Sequence, residues 1–235
     1  MNIKIPTHFM GKPIAGSIER VLSQESSKPE QSKESSTTNK DYKSTKGFIY
    51  VPSIGLEVSE DKTFHNHNWY DCHKELQSQG LKMLTLYEFF KFIEHLRQNP
   101  NQRHSQILDE VLTLRSPWRA EWIDAYFKKE KGNLYIASGH SIVNGSLQPK
   151  TYQELKACLM GDIKSGIDLD YLIKNITPQG LPPENTPKGE LYYWHPRHGR
   201  VAGFWAYSDG AYLDCDRDPS DSGSGLGVRR AKIKG

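Results

Sequence analysis

The part of the chain that most constrains its fold lies beyond residue 190, where short β-like runs alternate with turn formers. These runs read ELYYW, RVAGFWAYS, GAYLDCD and LGVRRAKI, and Gly, Ser, Asp and Pro separate them. Aromatic and β-branched residues bounded in this way are typical of strands joined by short connections. We therefore predict that this region folds as a compact antiparallel sheet.

Two of these runs alternate between two kinds of side chain. Successive side chains of a strand point to opposite faces, so the alternation predicts one packed set and one outward-facing set. The packed set is Phe204, Ala206, Ser208, Ala211, Leu213 and Cys215. The outward-facing set is Trp205, Tyr207, Tyr212, Asp214 and Asp216.

The N-terminal part of the chain has a different composition. Residues 23–46 consist mainly of Ser, Lys, Glu, Gln and Thr with a single aromatic residue. Such a segment cannot bury enough apolar surface to offset the entropy of ordering it. We predict a disordered linker over residues 23–46, which separates an N-terminal leader, residues 1–22, from one domain over residues 47–235. The domain opens with GFIYVPSIGLEVS, which is typical of strands.

Two helices are predicted near the start of the domain. Residues 69–79 have helical spacing of their apolar side chains, and Gly80 follows at the position of a C-terminal cap. Thr85 and Glu88 form a capping box, in which each side chain accepts a hydrogen bond from the backbone N–H of the other residue. The helix that this box opens has one apolar face, made of Leu86, Phe89, Phe90, Ile93 and Leu96.

Three further segments have a helical pattern, namely residues 105–114, 118–127 and 151–160. In the second of them the aromatic residues follow at steps of four, four and one, as core residues of a helical turn do. These aromatic residues are Trp118, Trp122, Tyr126 and Phe127. Helices followed by strands favour an α+β domain over a parallel α/β domain.

Charge and hydropathy exclude several classes of partner. The 31 basic and 28 acidic residues nearly balance, so the chain lacks the positive field on which nucleic-acid binding depends. Residues 1–22 contain charges that interrupt the apolar core of a secretion signal. No stretch approaches the roughly 20 apolar residues that span a bilayer. We expect no membrane span, and residence in the cytoplasm or assembly into a particle from there.

The order of predicted elements is similar to that of C-type lectin-like domains. The segment NWYDCHKELQSQGLKMLTLYEFFKFI resembles a passage of the formylglycine-generating-enzyme branch of that fold, with Leu84 and Thr85 starting the second helix. The closing GLGVRRA resembles the final strand of that branch. The resemblance implies an α+β, C-type lectin-like fold, in which two helices pack on small antiparallel sheets with long loops.

A narrower resemblance covers WHPRHGRVAGFWAYSDGAYLDCDRDPSDSGSGLGVRRA, which is similar to the variable region of diversity-generating retroelement variable proteins. Adenine-directed mutagenesis diversifies this region in that family, here about residues 200–229. The resemblance implies a binding protein rather than an enzyme, with a macromolecular and preferably protein ligand. The implied ligand-binding residues are Trp205, Tyr207, Gly210, Tyr212, Asp214, Asp216, Asp221 and Ser224. Tyr, Ser, Asp and Gly are also the residue types that antibody-like surfaces use.

The alternative function is an oxidase of the formylglycine-generating type, or a degenerate relative. Those relatives use paired reactive cysteines, and here only Cys215 lies in the C-terminal region, with Cys158 as its one realistic partner. The odd number of cysteines argues against a disulfide framework.

One run has the composition of a metal site. HNHNWYDCH offers His65, His67, Cys72 and His73 to a zinc ion. Adjacent residues of a helix point in different directions, so Cys72 and His73 are poorly placed to bind one ion. The cluster of aspartates after residue 208 lacks the calcium motifs of the lectins. We therefore predict neither a metal ion nor any other cofactor.

Overall fold

The computed structural model describes residues 8–9, 12–13, 45–113 and 116–234. Strands dominate this part of the chain, and four helices accompany them. The helices are α1 (Trp69–Ser78), α2 (Leu86–Gln98), α3 (Gln102–Leu112) and α4 (Leu169–Asn175). The strands are β1 (His8–Phe9), β2 (Lys12–Pro13), β3 (Phe48–Val51), β4 (Leu56–Thr63), β5 (Lys82–Met83), β6 (Arg119–Glu130), β7 (Asn133–Ser138), β8 (Ser141–Val143), β9 (Ser146–Gln148), β10 (Thr151–Glu154), β11 (Ile163–Ile167), β12 (Leu191–Trp194), β13 (Arg200–Tyr207), β14 (Gly210–Arg217) and β15 (Leu226–Ile233). Within the described ranges, no helix combines the length and the apolar character needed to cross a membrane.

Eleven strands form one mixed sheet. Its longest path runs in the order β11, β12, β14, β13, β6, β15, β4 and β3, and β5, β7 and β10 attach beside it. Strand β12 is parallel to β14 and β15 is parallel to β6, whereas the other neighbours along the path are antiparallel. The predicted α+β, C-type lectin-like fold, with two helices on small antiparallel sheets, is therefore wrong.

The C-terminal strands themselves were predicted correctly, as β12 to β15. They do not form a separate antiparallel sheet, because β6 from the middle of the chain lies between β13 and β15. β15 also pairs with β4 from the start of the domain. Residue preferences for strands say little about pairing partners, which depend on contacts distant in sequence.

Each face of the sheet has its own apolar core. Helices α2, α3 and α4 contribute to the larger core, where Phe89 and Phe90 lie 5.2 and 6.4 Å from Phe204 between ring centroids. The smaller core joins helix α1 to Trp122 and Trp205. Phe204 and Trp205 are neighbours on β13 and belong to different cores, as the alternation of a strand requires.

The local signals of the first helices are confirmed. The Thr85 hydroxyl accepts from the backbone N–H of Glu88, while the Glu88 carboxylate accepts from the Thr85 N–H. Gly80 follows the cap of α1 with φ near 68°, a left-handed conformation that favours glycine. These elements were predictable because a capping signal and a helical period depend only on neighbouring residues.

Two predicted helices are strands instead. Residues 118–127 lie mainly in β6, with Trp122 and Tyr126 on the side of the smaller core and Phe127 in the larger one. A step of four residues keeps a side chain on one face of a helix and also on one face of a strand, so it does not distinguish the two. Residues 151–154 form β10, and the positive φ of Ala157 breaks the helical pattern that follows.

Buried charges join β6 to β15. The Glu121 carboxylate accepts from the Arg229 guanidinium at 2.7 and 3.1 Å, and it also accepts from Arg119. All three side chains are at most 4% exposed. Burial opposes ionisation of Glu121, but the two arginines outweigh it and lower the pKa of the carboxyl. The arginines therefore stabilise an acidic neighbour across two strands.

The predicted leader, residues 1–22, and linker, residues 23–46, lie almost entirely outside the described residues. The described part of the linker begins at Thr45, which contacts the domain directly. Its backbone N–H and its hydroxyl donate to the Glu57 carboxylate at 2.8 and 2.7 Å. The domain therefore begins by residue 45, slightly before the predicted boundary at residue 47.

Candidate ligand-binding face

Strands β13 and β14 form the hairpin on which most of the predicted ligand-binding residues lie. Their register pairs Phe204 with Leu213, Trp205 with Tyr212, and Tyr207 with Gly210. Residues paired in an antiparallel ladder share a face, so each pair faces one side of the sheet. The predicted packed residues Phe204, Ala206, Ala211, Leu213 and Cys215 are all fully buried, with 0% exposure. Ser208 is exposed at the turn, where the prediction of a packed side chain is wrong.

The opposite side of the hairpin has a continuous group of aromatic rings, here called the aromatic face. It consists of Trp118, Tyr192, Trp194, Trp205, Tyr207 and Tyr212. The rings of Trp205 and Tyr207 are stacked at 5.9 Å between centroids. Tyr212 contacts Tyr207 edge to face at 5.2 Å and lies 4.8 Å from Tyr192. Except for Trp205, every member is partly exposed, so the face offers apolar area to a ligand.

Pairing between strands distant in sequence assembles this face. Because β12 is parallel to β14, Tyr192 lies directly beside Tyr212, and Trp194 packs on the same ring at 5.3 Å. At the other end, Trp118 lies 5.6 Å from Trp205 and 6.1 Å from Tyr207. The aromatic face therefore joins three separate parts of the chain.

Glycines leave space for two of these rings. A Cβ atom on Gly210 would lie 2.2 Å from the Tyr192 ring, so Gly210 serves packing. Gly225 also lies close to Trp118. A Cβ atom on Gly225 would lie 2.5 Å from the Trp118 carbonyl oxygen and 2.9 Å from the ring. Glycine at this position therefore allows the Trp118 ring to lie close to the loop before β15.

Two predicted ligand-contacting residues are not accessible. Trp205 is only 2% exposed, and the Arg217 guanidinium lies 4.2 Å from its ring centroid. Gly210 is buried beneath Tyr192. A second aromatic layer covers the strand at both points, so the burial of Trp205 and Gly210 argues against direct contact with a ligand. Trp205 instead forms the floor on which Tyr207 and Trp118 pack.

The acidic residues of the predicted face are bound in ion pairs. Arg197 pairs with Asp216 and also with Asp162, the latter at 2.7 Å. Arg217 lies 2.7 Å from Asp221 and 3.9 Å from Asp214. These aspartates are partly exposed, so they lie beside the aromatic face as a charged border rather than as free carboxylates.

Asp214 lies in a nearly dry environment. Its side chain is 16% exposed. Burial raises the pKa of Asp214 to about 6, and the Asp216 carboxylate adds to this, while the Asp216 N–H at 2.9 Å and Arg217 oppose it. Burial also raises the pKa of Tyr212, and the bond from its hydroxyl to Asp209 at 2.5 Å acts in the same direction. Tyr212 is therefore a neutral phenol at neutral pH.

Ser224 is exposed on the loop that precedes β15. The Nδ1 atom of His65 lies 3.1 Å from its carbonyl oxygen, which links this loop to the loop before α1. Among the predicted ligand-binding residues, Ser224 is the one farthest in sequence from the β13–β14 hairpin.

The cysteines required by the alternative oxidase are buried free thiols. Burial raises the pKa of Cys158 to about 11. Burial raises the pKa of Cys215 well above its usual range, and Asp214 and Cys158 add to this. The thiolate is the reactive form of cysteine, so neither residue is activated at neutral pH.

The histidines of HNHNWYDCH separate in space. His65 and His67 bond to the backbone oxygens of Ser224 and His65 respectively. His73 lies within α1, next to Asp124 and His140. His65, His67 and His73 therefore do not converge on one zinc site.

Sequence reasoning missed several members of the aromatic face. Tyr192 and Trp194 were recognised as strand residues, and Trp118 was assigned to a helical core. The period of two identified Tyr207 and Tyr212, but no local signal indicates that β12 is parallel to β14. Comparisons with protein-family models, with curated proteins and with solved structures found no match.

Proposed function

We propose that this chain is a binding protein whose aromatic face engages a macromolecular ligand, most suitably a protein. The observation that carries the proposal is the cluster of partly exposed Trp and Tyr rings on the outer side of the β13–β14 hairpin. Tyr, Trp and Arg are the residue types that dominate binding energy at protein interfaces. The aromatic face provides Tyr and Trp, and Arg217 lies beside it over the Trp205 ring.

The support beneath the face favours binding without rearrangement. Phe204, Ala211, Leu213 and Cys215 are fully buried behind the exposed rings. Association costs free energy when side chains must become ordered, and rings that already contact one another reduce that cost. The aromatic face is therefore preorganised in the manner of a matured paratope.

The charged border forms a polar rim around the apolar centre of the aromatic face. Asp162, Asp214, Asp216 and Asp221 are paired with arginines at the edge of the aromatic rings. Protein interfaces combine an apolar centre with a polar, accessible rim. This arrangement suits a folded partner better than an extended nucleic acid, since the border presents aspartates as well as arginines.

We further propose that a diversity-generating retroelement varies this face. The proposal rests on the resemblance of residues 194–231 alone. Tyr, Asp, Ser and Gly codons can arise from asparagine codons by replacement of adenines, and Tyr207, Tyr212, Asp214 and Asp216 are of these types. Trp205 is not reachable from AAC or AAT, and its burial suits a fixed position.

The diversification proposal has a direct test in the neighbouring DNA. We expect a near-repeat of the codons for residues 200–229 that differs mainly at adenines and lies beside a reverse transcriptase gene. If the genomic neighbourhood contains neither, the diversification proposal is wrong, whereas ligand binding by the aromatic face stays open to its own test.

The binding proposal is tested with the full chain immobilised as bait in a lysate of its source. A captured partner is then purified, and its affinity is measured by titration calorimetry. We expect Tyr207→Ala combined with Tyr212→Ala to weaken binding by about 30-fold or more, because hot-spot residues contribute at least about 2 kcal/mol.

The matched control is Tyr152→Ala. Tyr152 is 43% exposed and stacks on Tyr135 at 5.0 Å, but it lies on β10 and outside the aromatic face. Circular dichroism and thermal melting verify that all variants are folded. Equal affinity of the double variant and the control would refute binding through the aromatic face.

A further inference from the structure

Three side chains with metal-binding chemistry converge away from the aromatic face. His73 lies on α1, Asp124 on β6, and His140 directly before β8. One potential ligand atom from each lies within 4.8 Å of those of the other two. Their side chains are 3%, 2% and 6% exposed, respectively. The described part of the chain thus brings two imidazoles and a carboxylate together in a buried position.

The nitrogen of His73 lacks a partner in this group. Its Nε2 atom is buried without a hydrogen bond, and it lies 3.7 Å from Oδ1 of Asp124. That distance is too long for a hydrogen bond. Two ligand atoms on one tetrahedral zinc ion, each bonded at about 2.0 to 2.2 Å, are separated by roughly 3.4 Å. A cation between the two atoms satisfies both of them.

The ligand atoms are held by neighbouring groups. The Trp69 ring packs edge to face on His73 at 4.3 Å and on His140 at 5.0 Å. The indole N–H of Trp69 donates to the Ile123 carbonyl at 3.0 Å. The backbone N–H of His140 donates to Oδ2 of Asp124 at 2.9 Å. Neighbouring groups of this kind orient the side chains that bind a metal.

We propose that His73, Asp124 and His140 form a binding site for a divalent transition metal ion, with zinc as the preferred ion. Two imidazoles and one carboxylate are a ligand set that zinc uses when one position is left open. In the metal-free form the Nδ1 atom of His140 contacts Oδ1 of Asp124 at 2.5 Å, which is shorter than the roughly 3.4 Å between two ligands of one ion, so these two atoms move apart when a metal binds between them. Binding at Nδ1 replaces the proton of that hydrogen bond, which is released to solvent, and a metal–nitrogen bond forms.

The site opens onto a pocket of about 560 Å³, whose lining includes all three residues. The pocket gives the ion a path from solvent and leaves room for water or a small anionic group at the fourth position. Gln77 of α1 is bonded through its amide to the backbone of Ile142 in β8, which fixes one wall of the pocket. The metal therefore links α1, β6 and the start of the β8–β9 hairpin.

The test is zinc binding to the purified full chain. After dialysis against a zinc-containing buffer and then a zinc-free one, elemental analysis should find one zinc ion per chain. Titration calorimetry should give an affinity that His73→Ala and His140→Ala each weaken by about 100-fold or more, since loss of even a supporting contact costs 10- to 100-fold. The matched control replaces His65 and His67 by alanine, and it should bind zinc as the parent does.

Two readouts keep the proposal falsifiable if an alanine variant does not fold. Asp124→Asn preserves the shape of the side chain and should still weaken zinc binding. Titration of the parent chain with Co²⁺ should give the visible absorption bands of a low-coordinate site with nitrogen and oxygen ligands. Absence of these bands together with no retained zinc would overturn the proposal. Loss of zinc in the His65 and His67 control, with retention in His73→Ala, would also overturn it and assign binding to the loop.

Discussion

Asp214, in the charged border beside the aromatic face, has a pKa that folding raises towards neutral pH. It lies on the outer side of β14 between the rings and the arginines, and burial raises its pKa to about 6. An aspartate in an unfolded chain has a pKa of about 3.9. Between these values the folded protein keeps a proton that the unfolded chain has lost. The contribution of Asp214 to stability is therefore fully present below about pH 4 and is lost as the pH rises through about 6.

We predict that Asp214→Asn removes this dependence. An amide does not titrate, and its oxygen can still accept from the Asp216 N–H. The free energy of unfolding of the variant relative to the parent should therefore rise by about 2 to 3 kcal/mol between pH 4 and pH 7, since each unit of pKa difference is worth about 1.4 kcal/mol. Urea denaturation at several pH values measures this difference.

Asp61→Asn controls for the loss of one negative charge, because Asp61 is 71% exposed on β4. A constant difference in stability between the Asp214 variant and the parent across this pH range would contradict the prediction. Such a result would mean that Asp214 is well solvated in the folded protein.

The hairpin of β13 and β14 has fully buried side chains on one side and mostly partly exposed side chains on the other. We predict that saturation mutagenesis of residues 201–229 gives a tolerance profile with a period of two along both strands. Leu213→Ala should cost about 2 to 5 kcal/mol. Replacements at the partly exposed Tyr207 and Asp214 should cost less, since neither side chain belongs to the fully buried set behind the hairpin. Protease resistance of the displayed variants measures the profile.

The structure also predicts where this period fails. Any side chain at Gly210 would collide with Tyr192, and Trp205 is the buried floor of the aromatic face. Both positions should be as intolerant as Leu213, although the alternation assigns them to the outer side. If Tyr207, Tyr212 and Asp214 proved equally intolerant, the variable-surface hypothesis would be wrong.

The elements differ in how far the sequence could predict them. The Thr85 capping box and the period-two alternation of β14 depend on neighbours in the chain, and both were read correctly. The steps of four between Trp118, Trp122 and Tyr126 fit a helix and a strand equally, and here tertiary pairing with β13 and β15 selects the strand. Local pattern is thus sufficient for an element whose stabilising contacts are local, and it fails where those contacts are distant.

For the whole molecule, the order of strands in the sheet could not be predicted from the sequence. The last strand, β15, lies between β4 from the start of the domain and β6 from its middle. The sheet therefore depends on pairing between strands that are distant in sequence. The same holds for the candidate sites. The aromatic face needs β12 beside β14, and the histidine and aspartate cluster needs α1 against β6 and His140. Residue types suggested Tyr207 as a functional residue, whereas His73 belonged to a run for which no metal ion was predicted. Only the fold supplies the partners of both residues.

The contacts of Thr45 predict which N-terminal residues the domain needs for its stability. Lys232 near the C-terminus donates to the Thr45 hydroxyl at 3.0 Å and pairs with buried Glu57 at 3.2 Å. Thr45 and the Glu57 carboxylate therefore connect β4 to β15. A chain that begins at residue 44 keeps these contacts, whereas a chain that begins at residue 48 removes two of the hydrogen bonds that Glu57 accepts.

We expect the chain from residue 44 to melt cooperatively at the temperature of the full chain, because the composition of residues 23–43 offers little apolar surface for a core. The chain from residue 48 should melt about 3 to 10 °C lower. Leaving a buried acceptor without its donors costs about 1 to 3 kcal/mol, and each kcal/mol shifts the melting temperature of a domain this size by about 2 to 4 °C. Thr45→Val in the full chain removes only the hydroxyl and should give an intermediate decrease. Loss of cooperative melting in the chain from residue 44 would mean that the preceding segment contributes to the fold.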